Sequence, residues 1–133
     1  MSSVSPRKDP ELTDLRSQIE QIIESEPVAL FMKGTPAFAA CGNSQRALSA
    51  LRGAGAPVTA VDILPNPSFR QELSALSGWP TIPQIFVKGE LLGGADIVEE
   101  LAASGELERK LAEALGPEYR NGRDERVVEL EAA

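Results

Sequence analysis

One cysteine, Cys41, stands in the run Cys41-Gly42-Asn43-Ser44. Only a thiolate acts as nucleophile or metal ligand, so its use depends on what lowers its pKa. An apolar helical pattern begins at Ser44, which puts Cys41 at a helix N-terminus. Free N–H groups and the macrodipole favour an anion there. Lys33 closes an apolar run on the same side, and its ammonium would lower the thiol pKa further or grip a carboxylate. Free cysteine is also among the most buried residue types, so Cys41 taken alone fits an inert, packed thiol at least as well. The glycine neighbour, the loop position and the helix start shift that balance.

Two further segments carry chemical potential. Trp79-Pro80-Thr81-Ile82-Pro83 sets two prolines just ahead of a strand. A cis Ile82-Pro83 bond would present the Ile82 main chain to an extended peptide; a plain rigid turn is the simpler alternative. Gly93-Gly94-Ala95-Asp96 lies at a strand-to-helix junction, where bare glycines admit a ligand and the helix N-terminus attracts a carboxylate. A turn with Asp96 as N-cap reads equally well. Arg70, early in another helix, fits a solvated surface charge.

Composition removes whole classes of chemistry. The chain has 133 residues, one Cys and no His. One cysteine forms no internal disulfide, and a Cys/His zinc site within one chain is excluded. So is any mechanism with a histidine base. The formal charge of −7 argues against nucleic acid as a partner. No apolar run approaches the roughly 18–20 residues of a membrane helix, and no secretory signal is visible, so a cytoplasmic protein is expected.

The elements that must position these residues follow from periodicity. Residues 1–10 are polar and Ser/Pro-rich, a flexible lead-in. Leu12, Leu15, Ile19, Ile22 and Ile23 mark a helix that ends near Pro27. Val28–Met32 and Val58–Ile63 are strands, separated by a helix over 44–54. Pro67 opens a helix to Ser77, with Phe69, Leu73 and Leu76 inward. Ile85–Val87, the turn Lys88-Gly89 and Leu91-Leu92 form a hairpin. Helices over 96–103 and 106–115 follow, and residues 117–133 read as a charged, frayed tail in which Val127 and Val128 could dock. The expected architecture is α/β, a four-stranded mixed sheet with helices on both faces, in one domain over 11–116.

Together these segments resemble the monothiol glutaredoxins, the Cys-Gly-Phe-Ser class. The resemblance runs from about Pro27 to Leu115. It rests on Phe31-Met32-Lys33-Gly34-Thr35-Pro36, Cys41-Gly42-Asn43-Ser44, Val61-Asp62-Ile63-Leu64, Trp79-Pro80-Thr81-Ile82-Pro83-Gln84, Gly89-Glu90 and Gly93-Gly94-Ala95-Asp96-Ile97, in the family's order. The long stretch between Lys33 and Cys41 also suits this class rather than the dithiol glutaredoxins. The resemblance implies a thioredoxin-like fold with a glutathione groove. By position, Cys41 would be the reactive thiol, and Lys33 and Arg70 would hold the glycine carboxylate of glutathione. Ile82, before cis-Pro83, would pair with the cysteinyl backbone. Gly94, Ala95 and Asp96 would bind the γ-glutamyl end, with Trp79 and Thr81 shaping the wall. Three departures stand out: Asn43 replaces the family's phenylalanine, Ala39 a common proline, and Ala95 a frequent Cys or Ser.

The resemblance also implies a [2Fe–2S] carrier. A cluster needs four ligands, generally thiolates, and this chain supplies one, Cys41. Two chains and two glutathione thiols make four, which implies a glutathione-bridged homodimer or a heterodimer with a BolA-type protein, and cluster-acceptor proteins downstream. With Ser44 in the place of a second cysteine, dithiol exchange is blocked. The alternatives are monothiol reduction of glutathionylated substrates and a non-catalytic glutathione-binding adaptor.

Overall fold

Strand β1 (Val28–Met32) is buried along its whole length, and its alternation decides the layering. The computed structural model describes residues 10–122 and 125–130. Successive side chains on a strand point to opposite faces. Val28, Leu30 and Met32 enter one core, with Ala47, Leu48 and Leu51 of α2 (Gly42–Gly53), Val98 of α4 (Ala95–Ser104) and Leu107 and Leu111 of α5 (Glu106–Leu115). Ala29 and Phe31 enter the other, with Leu15, Ile19 and Ile22 of α1 (Pro10–Ser25) and Phe69 and Leu73 of α3 (Phe69–Ser77). Phe31 is the hub of this second core, edge-on to Phe69 at 6.0 Å and to Phe86 at 5.7 Å. Such edge-to-face geometry is the favoured arrangement of aromatic rings.

The sheet order is β4-β3-β1-β2-β5. β2 (Val58–Asp62) lies parallel to β1, with Val28 opposite Val58 and Met32 opposite Asp62. β3 (Gln84–Val87) is antiparallel to β1, and β4 (Glu90–Gly93) is antiparallel to β3. Lys88 and Gly89 both take positive φ, 49° and 86°, as a mirror-image two-residue hairpin turn demands.

The architecture is the expected α/β class, but the sheet has five strands rather than four. The extra strand, β5 (Arg126–Val128), pairs parallel with β2. It comes from the segment read as a frayed tail. A 3-10 turn over Tyr119–Gly122 leads into it. Arg52 holds Glu125 through two bonds of 2.8 and 2.7 Å, and Arg126 reaches Glu26 at 3.0 Å. Val128 and Leu130 pack against the second core. Helix α3 starts at Phe69, not Pro67, because Asn66 takes the Ser68 N–H on its side chain and the Phe69 N–H on its carbonyl. Nearly all of the lead-in and the last three residues of the tail fall outside the described residues, as does the burial of Leu12. Among the described residues no helix is long and apolar enough to cross a membrane.

Tyr119 anchors the returning segment. It is buried, and its hydroxyl donates to the Ala54 carbonyl at 2.7 Å, closing the C-terminal end of α2. Tyr119→Phe strands that carbonyl. The expected loss is about 1–2 kcal/mol of stability, read as a lower urea midpoint at unchanged slope.

Candidate functional site

Cys41 is the N-cap of α2, with an extended backbone at φ −149° and ψ 134°. It is partly exposed. Its thiol is held below the ordinary value, chiefly by the Ser44 N–H; burial opposes this, and the Asn43 N–H, the Lys33 ammonium and the Ser44 hydroxyl add to it. Ser44 itself is fully buried, and its Oγ accepts the Lys33 N–H at 3.0 Å. The same hydroxyl accepts from the main chain and makes the smallest of the contributions that lower the thiol.

The loop from β1 to Cys41 is tightly knitted. Ala40 N–H donates to Lys33 O at 2.9 Å, and Thr35 and Phe38 exchange main-chain bonds of 3.2 and 3.0 Å. Gly34 has φ +93°, and a Cβ there would strike Phe38 O and lie 2.7 Å from Ala40 N. No other residue fits that turn. Asp62, at the end of β2, accepts both Gly34 N–H at 2.9 Å and Leu64 N–H at 3.0 Å on one oxygen.

Beside this loop is a cleft of about 180 Å³. One wall comes from Trp79, Thr81, Ile82 and Pro83, the other from Gly94, Ala95 and Asp96; Asn43 and Ile97 complete it. The Ile82-Pro83 bond is cis. Gln84, fully buried, donates to the Trp79 carbonyl at 2.9 Å and moors the proline segment to β3. Gly94 precedes α4 and lies against the indole: a Cβ would be 3.2 Å from Trp79 Nε1. Seven of the ten residues read from the sequence thus line one cleft. Cys41 and Lys33 form a neighbouring group, joined to it through Asn43. Arg70 is not among the cleft's lining residues; it is exposed and donates to Pro80 O at 3.3 Å.

Three contributors escaped the sequence reading. Ser44, which stands in the place of a second cysteine, is also the joint between β1 and α2. Asp62, within the Val61–Leu64 motif, is the tie between two loops. Arg46 bonds Asn43, Asp96 and Glu99 at 2.6 Å each. The first of these spans three residues, a spacing visible in any helix. The others require α2 to lie against α4. Among the described residues no three or more His, Cys, Asp or Glu gather in a group that could hold a metal ion. The donor set of one chain is thus a single thiolate, which fits only a quarter of a four-thiolate site.

Alkylation of Cys41 by iodoacetamide should reach half its maximal rate at a pH below that of an ordinary thiol. Lys33→Gln moves the midpoint up. Ser44→Ala also raises it, and strands the Lys33 N–H at a cost of about 1–3 kcal/mol. Because folding lowers this pKa, ionised Cys41 favours the fold above the unfolded thiol's pKa. That contribution is lost as the pH falls through the folded pKa. A pH–rate profile paired with denaturation curves checks both.

Residues 28–92 match the family model described as glutaredoxin. The chain is 47% identical to glutaredoxin 4 of Haemophilus ducreyi over 96 residues, 72% of this chain and 90% of that one. It is 48% identical over 99 residues to monothiol glutaredoxin-S11 of Oryza sativa subsp. japonica; that is 74% of this chain but only 20% of the rice protein's length. The solution structure of reduced poplar apo GrxS14 superposes with a TM-score of 0.68 at 42% identity, covering 76% of this chain and 93% of that one. A sheet of this family with one cysteine at the head of α2 leaves a single assignment: the chain belongs to the monothiol glutaredoxins.

Proposed function

We propose that the chain binds glutathione across the Cys41 loop and the adjoining cleft, and carries a [2Fe–2S] cluster ligated by Cys41 and the glutathione thiol. The observation that carries this reading is the lowered thiol of the one cysteine, set at a helix N-terminus beside a cleft of about 180 Å³. Lys33 and Arg70 would take the glycine carboxylate, the Ile82 main chain the cysteinyl unit, and the first turn of α4 the γ-glutamyl carboxylate. Trp79 and Thr81 would bound the peptide on its flank. One chain with its glutathione gives two thiolates, so four require a second copy, or a BolA-type protein with its own ligand. A bound cluster would supply iron and sulfide for delivery to acceptor proteins. The chain's part is to keep Cys41 ionised and glutathione oriented. A cytoplasmic setting, where thiols stay reduced, suits such chemistry.

Asn43 supports a second reading. It turns its amide to Arg46 at 2.6 Å, so the flank of the thiol is polar where the family has an apolar ring. In that reading the Cys41 thiolate attacks the glutathione sulfur of a glutathionylated protein, which leaves as a thiolate. A second glutathione thiolate then attacks the Cys41–glutathione disulfide, giving glutathione disulfide and free Cys41.

Anaerobic reconstitution with iron, sulfide and glutathione decides between them. Visible charge-transfer bands with a dimeric native mass, lost in Cys41→Ser or without glutathione, are the expected result. Protein that retains no iron and sulfide, yet reduces a glutathione mixed disulfide faster than Cys41→Ser, overturns the carrier in favour of the oxidoreductase. Glutathione binding with neither property leaves the adaptor.

A further inference from the structure

We propose that Arg46 is a specificity residue of the cleft, making a ligand's γ-glutamyl carboxylate count for more than its γ-glutamyl amino group. This deepens the glutathione reading above and rests on it.

The inference starts from where the guanidinium sits. Nη1 donates to Asn43 Oδ1 at 2.6 Å, and Nη2 to Asp96 Oδ1 at 2.6 Å. Asn43 and Asp96 both line the cleft, one from the head of α2 and the other from the head of α4. Arg46 therefore joins two residues of the cleft lining. Glu99, one turn beyond Asp96, holds the guanidinium through Nη2 at 2.6 Å and Nε at 3.1 Å. Arginine's planar fork is suited to engaging several acceptors in this way.

The pairing changes what the rim offers a ligand. Asp96 is the acidic side chain that lines the cleft, and a ligand ammonium would seek it. One of its oxygens already binds Arg46, and a like charge lies beside it. The ammonium must displace that bond or share the carboxylate against repulsion. A ligand carboxylate gains from Arg46 because the guanidinium offsets the repulsion of Asp96 and Glu99. The first turn of α4 presents open N–H groups, and a guanidinium stands next to them. The side chains of Arg46, Asp96 and Glu99 are 40%, 85% and 42% exposed, so a ligand can reach the network from solvent. Exposure also limits the effect to a few-fold.

Trp79, the chain's one tryptophan, lines the cleft and reports binding by fluorescence. The full chain is titrated with glutathione, with glutaryl-cysteinyl-glycine, which lacks the amino group, and with 4-aminobutyryl-cysteinyl-glycine, which lacks the carboxylate. In the unmodified chain, loss of the carboxylate should weaken binding more than loss of the amino group. In Arg46→Gln the carboxylate penalty should shrink about three- to fivefold, and the amino penalty should grow. Arg46→Lys, which keeps the charge, should preserve the original order. Glutathione binding with the same two penalties in Arg46→Gln overturns the assignment alone, as does an equal weakening of all three ligands, the mark of a merely structural clamp. An unmodified chain that loses more with the amino group overturns it without any variant. Absence of glutathione binding overturns the binding reading and this assignment together.

Discussion

A strand that ends and a helix that begins share one hydroxyl group, and the site depends on that bond. Ser44 is fully buried and accepts the Lys33 N–H. A buried group with no partner costs about 1–3 kcal/mol, so the position needs a side chain that accepts from the main chain. Serine accepts well there, whereas a cysteine would accept only weakly. The absence of a second thiol is thus tied to the geometry of the loop and not only to the redox chemistry it rules out.

The same economy recurs at two other junctions. Asp62 takes N–H groups from the loops after β1 and β2 on one oxygen, so the Cys41 loop is set against the end of the sheet. Arg46 ties the heads of α2 and α4, which both abut the cleft. Each tie crosses from one element to the next at the edge of a core that is already packed on both faces of β1. The core supplies rigidity, and single polar side chains convert it into alignment at the surface.

What could be read in advance reflects how local the information is. The continuous apolar run of Val28–Met32 and the helical spacing of Leu107 and Leu111 need no distant partner, and they stand where expected. The cleft residues were found through short motifs whose order matches a known family, although Trp79–Pro83 and Gly94–Asp96 meet only across β3 and β4. Arg70 does not line the cleft; its guanidinium donates to Pro80 O, next to the cleft residues Trp79 and Thr81. Arg46 was invisible because Asp96 and Glu99 lie 50 and 53 residues further on. The fifth strand was hidden by its length, since three residues show no period, and its charged neighbours resemble those of a solvated tail.

Those charges acquire a different meaning once the strand is in place. An open sheet flank is a row of unpaired donors and acceptors, and another chain's strand can add to it. Without β5 that flank would be β2, five residues long and rich in β-formers, with Val58 to Val61 buried. With β5 it is three residues long, carries Arg126, and is bracketed by Glu125 and Glu129. A short strand among charges is a poor template for intermolecular pairing. The composition that reads as disorder along the chain therefore works, in three dimensions, as a barrier to aggregation.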